Sequence, residues 1–599
     1  MGFHGLGVWR RLNGELLVAV DRDFERAVLP LMRLLWPQMI QPRGLAHYDK
    51  AGVDLVAFDE NEKIVCAVQC KGFFKAEGLL GDHFNQISGS IAKFRKSELI
   101  AKKYILIHNQ DGRNKEVAAR IDDDLKTLVS SGKAEEAVQW NRHYFLKIIE
   151  EKIQGLIAKR VEEQSNLELL RIDRQFMSGR SYVADVPVSH RKLSLTRGQP
   201  PVISNAGSRD IERIADMLAN AKGRWTILTG LFGSGKTTAA LHAAHSTPNR
   251  ILYVHAGNIE PRGGEGGTNL LMSRIIDALG IFGDFEEDER SLFTRLAGPT
   301  LRQFLMGRGS NAVLIIDALD ENRSLAGPTA MTRFASALAE LTCPIIMTTR
   351  EEHFRATFGN YDNLFEDLSI KGGNMDAIKL LTLEPWEDRQ IITFIRAAVN
   401  EAPENKSLSV LLEQVQSRSS RWDDDILKHP LFLRMIVDLA AEGSEVGNTR
   451  AQILRQWVWR KLMRDLKTDR QLPVPVEDSY EFIDKMETAM TCVSAAMITE
   501  SENGIQLNET IRSTEVIHII ERVLGVSGIP LASAISVSLL LPAAIRYRSE
   551  VPIRFSHRSF QEYFLALHVF NQALDAERYP TTVKELTAEM RAESTAMDA

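Results

Sequence analysis

Cysteine is scarce in this chain: four residues in 599, and none of them in a C-x-x-C pair. That excludes a disulfide framework and a zinc knuckle, and it fits a reducing compartment. Apolar stretches are short. Met1 to Arg11 contains no apolar core of the length a secretory leader needs. The longest apolar stretch, 529–545, is broken by Ser533, Ser536, Ser538 and Pro542; it is too polar and too short to span a bilayer. A cytoplasmic protein without membrane contact is expected. Positive charge is not in excess either. The net charge is −6, so any nucleic-acid contact must come from a local basic surface. No repeat with a period of roughly 20–50 residues is present. What remains is a globular composition, 44% hydrophobic and 25% charged, with length for about four domains.

The most specific feature is Gly230-Leu-Phe-Gly-Ser-Gly-Lys-Thr-Thr238, a G-x-x-x-x-G-K-[ST] loop. An apolar run (Trp225 to Leu228) precedes it and a helix-forming run (Ala239 to Ala244) follows, which is the strand–turn–helix context the motif needs. Gly230, Gly233 and Gly235 allow backbone N–H groups, with those of Ser234 and its neighbours, to converge on a phosphate at a helix N-terminus. Lys236 would bridge the β- and γ-phosphates, and Thr237, followed by Thr238, would hold Mg²⁺. ATP, or ADP at rest, with Mg²⁺ is the expected ligand.

Residues 311–321 end an apolar run in Asp317, followed by Asp320 and Glu321. A carboxylate at the C-terminal end of a buried parallel strand lies where such sheets bind ligands. Asp317 would hold the Mg²⁺ shell, while Asp320 and Glu321 would orient the attacking water or complete that shell. The run 344–350 ends in Arg350, which can report a γ-phosphate or be an ordinary surface arginine. The form of 313–321 resembles the NACHT group of STAND NTPases, with Ala318 where that group has Gly. The segment His429-Pro430-Leu-Phe-Leu433 resembles its helical-domain motif, and Phe555 to Phe564 its winged-helix segment. The resemblance implies that Pro430 packs on adenine and that His557 touches the ADP β-phosphate in the resting state. Taken alone, a histidine before an aromatic helix, such as His557, is more often structural.

Nearer the N-terminus, Phe24 to Leu35 predicts an amphipathic helix. Val53 to Phe58 and Ile64 to Lys71 predict two strands around the polar turn 59–62. Alternation puts Gln69 and Lys71 on one face of the second strand and Cys66, Val68 and Cys70 on the other, in the core. Asp54 lies across the hairpin. Asp54 and the Gln69 carbonyl suit a hard cation such as Mg²⁺, with Glu25 as a further ligand. Lys71 would offset charge on phosphorus. The bare pattern of Asp54, Gln69 and Lys71 also describes many solvated hairpins. The full string, with helix 84–94 after it, resembles the Mrr-type branch of PD-(D/E)xK restriction nucleases, in which Gln often replaces Glu. That resemblance implies Mg²⁺-dependent cleavage of double-stranded DNA.

The expected fold is α/β and multidomain. It comprises a restriction-endonuclease-like domain at 1–150, a helical segment and linker at 151–208, and a P-loop NTPase with a parallel sheet at 209–385. A helical domain at 386–480, a winged-helix domain at 481–575 and a tail at 576–599 follow. The combination resembles the antiviral STAND proteins of prokaryotes, which implies a phage-derived activator and a homo-oligomer on activation. Only 576–599 follow the winged helix, so the sensor is expected within the helical and winged-helix regions, on a partner chain, or in a longer relative. Two other functions fit the same motifs: a signalling scaffold whose N-terminal domain binds without cutting, and an ATP-dependent, modification-dependent restriction enzyme.

Overall fold

The computed structural model describes residues 7–42, 45–74, 79–110, 114–173, 183–194, 202–204, 209–220, 225–231, 233–247, 251–259, 268–306, 312–322, 328–351, 353–354, 378–419, 421–468, 479–501, 504–508, 510–536, 538–542, 551–555 and 558–574. His557, the tail 576–599 and most of the linker at 174–208 lie outside them. The chain divides into two compact units. One is Met1–Lys159 with Glu287–Gln303, and the other is Arg160–Glu286 with Phe304–Ala599. No helix among the described residues is long and apolar enough to cross a membrane.

The first unit opens with α1 (Gly7–Val18), α2 (Asp21–Leu35) and the short α3 (Ala46–Ala51). A four-stranded sheet follows, in the order β1 (Leu55–Phe58), β2 (Ile64–Lys71), β3 (Ala101–His108), β4 (Ala134–Asn141). Strands β1 and β2 pair antiparallel because the turn between them closes on itself: Asp59 Oδ1 accepts the N–H groups of Asn61 and Lys63, each at 3.0 Å. The remaining pairs are parallel, and parallel strands need crossovers. These are α4 (Gly81–Lys96) and α5 (Lys115–Ser130), and α6 (Arg142–Asp173) follows β4. Ile87, Ile91 and Phe94 of α4 and Ile121 and Leu125 of α5 pack on Ala67, Tyr104 and Leu106. The segment Glu287–Gln303 belongs to this unit. The indole N–H of Trp9 donates to Leu296 O at 3.1 Å, and Arg33 pairs with Glu289 at 2.5 Å.

The second unit holds a larger sheet built around five mutually parallel strands. Sheet order is β6 (Val202–Ser204), β5 (Asp185–Ser194), β12 (Ile378–Leu383), β8 (Trp225–Gly230), β11 (Ile345–Thr348), β10 (Val313–Asp317), β9 (Ile251–His255). Strands β5, β6 and β7 (Arg209–Arg213) form antiparallel additions to its β12 edge. Strands β8, β9, β10 and β11 are buried along their whole length, as expected of strands covered on both faces. Helices α7 (Ile214–Ala219) and α8 (Lys236–Ser246) pack on the sheet with a single core that continues through the helices of 388–496 into Ile553, Phe555, Phe560 and Phe564. A small sheet of Ile511–Arg512, Pro552–Phe555 and Leu540–Pro542 lies in the C-terminal part, with the helix Arg558–Leu574 after it.

Candidate functional sites

In the first unit the register Leu55↔Val68 sets Asp54 opposite Gln69, so both side chains share the face that also carries Lys71. The pairing Ala67↔Tyr104 puts Tyr104 on that face as well. The backbone N–H of Asp54 donates to Val68 O at 2.9 Å, and Asp54 Oδ2 accepts the N–H of Cys70 at 2.7 Å. The face is not a solvated one. Gln69 is 1% exposed beneath α4, and its Oε1 accepts the Tyr104 hydroxyl at 2.8 Å. Cys66 and Cys70, on the other face, are also buried, so β2 is covered on both sides.

Burial pushes the Asp54 carboxyl up to about 7; the Cys70 N–H opposes the shift, and the negative field of Glu25 adds to it. Glu25 is placed by α2, and its Oε2 accepts Gln41 Nε2 at 2.8 Å. The desolvated Asp54 carboxylate, with the negative field of Glu25 upon it, suits a divalent cation, which would relieve both costs. The Gln69 carbonyl, already engaged by Tyr104, fits that role less well. Burial also holds the His108 imidazole down at about 4, so it is neutral near pH 7 beside its strand partner Lys71.

In the second unit the phosphate loop joins β8 to α8. Gly233 and Gly235 have φ of +65° and +95°, a region that glycine alone enters without strain. Lys236 Nζ donates to Gly230 O and Leu231 O, each at 2.9 Å. The Ser234 hydroxyl is buried without a hydrogen-bond partner among the described residues. An orphaned donor in such a loop suits a phosphate oxygen. Pro430 opens the helix Pro430–Ala441 at its first position, with His429 as N-cap. That end lies against the loop: a Cβ on Gly233 would come 2.4 Å from His429 Cε1 and 3.1 Å from Leu431 Cβ.

The other predicted nucleotide residues lie at the C-terminal ends of neighbouring strands, where ligands of open α/β sheets bind. Asp317 is 0% exposed; its Oδ2 accepts the Tyr253 hydroxyl at 2.8 Å and its Oδ1 that of Thr348. Ala318 adopts φ +55°, the conformation in which a glycine would be relaxed. Arg350 is committed to Asp320, with Nε 3.0 Å from Oδ2, and lies 4.0 Å from Glu562. Glu562 is also bonded by Arg558 at 3.0 Å. Glu321 lies 3.2 Å from His255 Nε2, which is 2.6 Å from Arg554 Nη1. Thr237 and Thr238 occupy the first turn of α8, partly exposed.

No protein-family model matches the chain, and no curated protein matches it. Among solved structures it is similar to a signal transduction ATPase with numerous domains that carries a tetratricopeptide-repeat sensor, from Pyrococcus horikoshii. Identity is 13% and the TM-score 0.30, over 61% of this chain and 45% of that one, so under half of that protein's length is spanned. It is also similar to Cdc6p from Pyrobaculum aerophilum (13% identity, TM-score 0.22, 59% of this chain and 90% of that one). The Aeropyrum pernix Orc1 protein in complex with DNA has 16% identity and a TM-score of 0.25, over 60% and 92% of the two chains.

Several residues around these sites carry no local sequence signal. Tyr104 sits in a string whose meaning depends on what packs against it. Asn109 is the clearest case. It is 0% exposed, its Oδ1 accepts Phe73 N–H at 3.0 Å, and its Nδ2 donates to Leu17 O and Ala19 O at 3.1 Å each. It ties the end of β3 to the linker before α2.

The raised Asp54 carboxyl gives a pH test. Its folded value of about 7 lies above the ordinary 3.8, so the folded state binds the proton more tightly than the unfolded one. Stability from this group is fully present below about pH 4, falls as pH rises towards 7, and is flat above. Asp54→Asn keeps an oxygen for the Cys70 N–H and removes the buried charge. In chelator, the full-length variant is expected to exceed the wild type by roughly 2–4 kcal/mol at pH 8 and to match it near pH 4. Urea denaturation at the two pH values measures this; equal curves at pH 8 would mean that Asp54 is well solvated.

Proposed function

We propose that the chain is a nucleotide-switched, Mg²⁺-dependent DNA endonuclease that acts in prokaryotic anti-phage defence. The observation that carries the nuclease half is the convergence of Asp54 and Lys71 on one face of the β1–β2 hairpin, with Glu25 electrostatically coupled to Asp54. Asp54 and Glu25 would hold the ion. When bound, Mg²⁺ lowers the pKa of its water and neutralises phosphate charge. Lys71 would contribute a fixed positive charge beside the phosphodiester, where negative charge grows as water adds to phosphorus. Double-stranded DNA is the substrate in this reading, cut in the cytoplasm.

The switch half rests on the commitments of Lys236 and Arg350. Both cations bond protein oxygens. A triphosphate would draw Lys236 off the loop carbonyls. Its γ-phosphate would compete with Asp320 and Glu562 for Arg350. Glu562 lies on the C-terminal helix Arg558–Leu574, so losing that pair would loosen the hold on that helix. A phage-derived activator and homo-oligomerisation would then be biased by nucleotide state.

The test is degradation of supercoiled plasmid by the purified full chain with Mg²⁺, ATP and lysate of infected cells. Lys71→Ala is expected to lower the cleavage rate by about 10²–10³-fold, the usual effect of removing one charge-stabilising group. Cleavage by Lys71→Ala at the wild-type rate sinks the nuclease assignment. A signalling scaffold is the second reading, favoured by the burial of Gln69. It predicts that Asp54→Ala retains phage protection in cells while Lys236→Ala loses it.

A further inference from the structure

We infer that Tyr104 is a positioning residue of the hairpin centre: it holds Gln69 with its amide nitrogen, not its carbonyl, free, so that Asp54 and Glu25 and not Gln69 ligate the divalent ion. This inference rests on the nuclease reading and narrows it. The hydrogen-bond inventory decides the orientation of the amide. Tyr104 is 0% exposed, its ring packs on Phe94 at 4.7 Å between centroids, and its one hydrogen bond among the described residues goes to Gln69 Oε1 at 2.8 Å. Turning the amide over would oppose an N–H group to the phenol and leave the buried hydroxyl proton without an acceptor.

With the carbonyl committed to Tyr104, the Nε2 end faces the turn before Asp54. A Cβ added to Gly52 would lie 3.1 Å from it, and Gly52 has φ +70°. An amide N–H₂ is a donor and cannot ligate a cation. The carboxylates remain as the anionic oxygens suited to a hard ion.

The experiment is a Mn²⁺ titration by calorimetry of the nucleotide-free full-length chain, with Asp54→Ala as reference. Tyr104→Phe frees the Gln69 carbonyl to turn towards the ion, so the variant is expected to bind Mn²⁺ about threefold or more tightly. Structural damage would move the affinity the other way. The double variant Tyr104→Phe/Gln69→Met removes donor and acceptor together, which leaves no orphaned group. It is expected to keep the wild-type affinity within about threefold. Unchanged or weaker binding by Tyr104→Phe overturns the inference, as does a loss of about tenfold or more in the double variant. If Asp54→Ala binds Mn²⁺ like the wild type, the metal-centre reading itself fails, whatever the Tyr104 result.

Discussion

Lys236→Ala is expected to weaken ATP binding by about a hundredfold or more, read by calorimetry or a fluorescent ATP analogue. In the bound state the ammonium would make charge-assisted hydrogen bonds to two phosphate groups. Each such bond contributes about 1.5–3 kcal/mol, and losing two corresponds to at least two orders of magnitude in affinity. Part of that is offset in the wild type, because Lys236 must first leave Gly230 O and Leu231 O. The alanine variant loses those loop bonds too, but Gly233 and Gly235 retain their left-handed conformations and α8 its N-terminus. A small stability change with a large affinity change is therefore the signature. Arg350→Ala should differ in kind: ADP affinity near wild type, ATP affinity reduced. If Lys236→Ala bound ATP as well as the wild type, the loop would not be a phosphate site. Mn²⁺ binding at Asp54 is expected to be indifferent to either change, since both substitutions fall in the other compact unit.

The strand–glycine turn–helix at 225–246 and the hairpin were legible because local chemistry dictates them. Gly233 and Gly235 sit at φ values that few other residues tolerate, and Asp59 closes its own turn. The apolar run into Asp317 reads as a buried strand ending in a carboxylate, and it forms β10. Long-range facts were not legible. Nothing in 378–383 says that this strand slots between β5 and β8, nor that β5, β6 and β7 pair antiparallel beside it. Alternation correctly groups Gln69 with Lys71, but which face a helix covers is fixed by Phe94 and Tyr104, far along the chain. The membership of Glu287–Gln303 in the first unit depends on contacts such as Trp9 with Leu296, a pairing across 287 positions that no window of sequence contains. Arg350, from its strand end, reads as a γ-phosphate reporter or as an ordinary surface arginine. The structure shows it held by Asp320, which lies on a different loop.

Gly72→Ala is expected to destabilise the first unit by about 3–5 kcal/mol and to weaken Mn²⁺ binding there by about tenfold or more. The residue follows Lys71 at the end of β2, and an added Cβ would lie 2.7 Å from Ala19 O, 2.7 Å from Phe24 Cβ and 2.9 Å from Asp21 N. Two of these atoms are backbone and the third is the root of a side chain that is 0% exposed, so no flexible tip can yield. The linker cannot swing clear cheaply. Asn109 Nδ2 holds Leu17 O and Ala19 O, and Asp21 N–H donates to Gly72 O at 3.2 Å. Overpacking of this kind costs about 1–3 kcal/mol, and each displaced hydrogen bond adds about 1 kcal/mol. The structure that gives way is the start of α2, which carries Glu25. Relief of the clash would therefore move that carboxylate away from Asp54, even in molecules that still fold. Gly14→Ala is the control. It lies inside α1 with nothing within 4 Å of its added Cβ, so it should be neutral or stabilising by about 0.5–1 kcal/mol. Urea denaturation of the full chain and Mn²⁺ calorimetry separate the two glycines. Wild-type stability in Gly72→Ala would mean that α2 and the end of β2 are not in the contact described, and the placement of Glu25 beside Asp54 would fall with it.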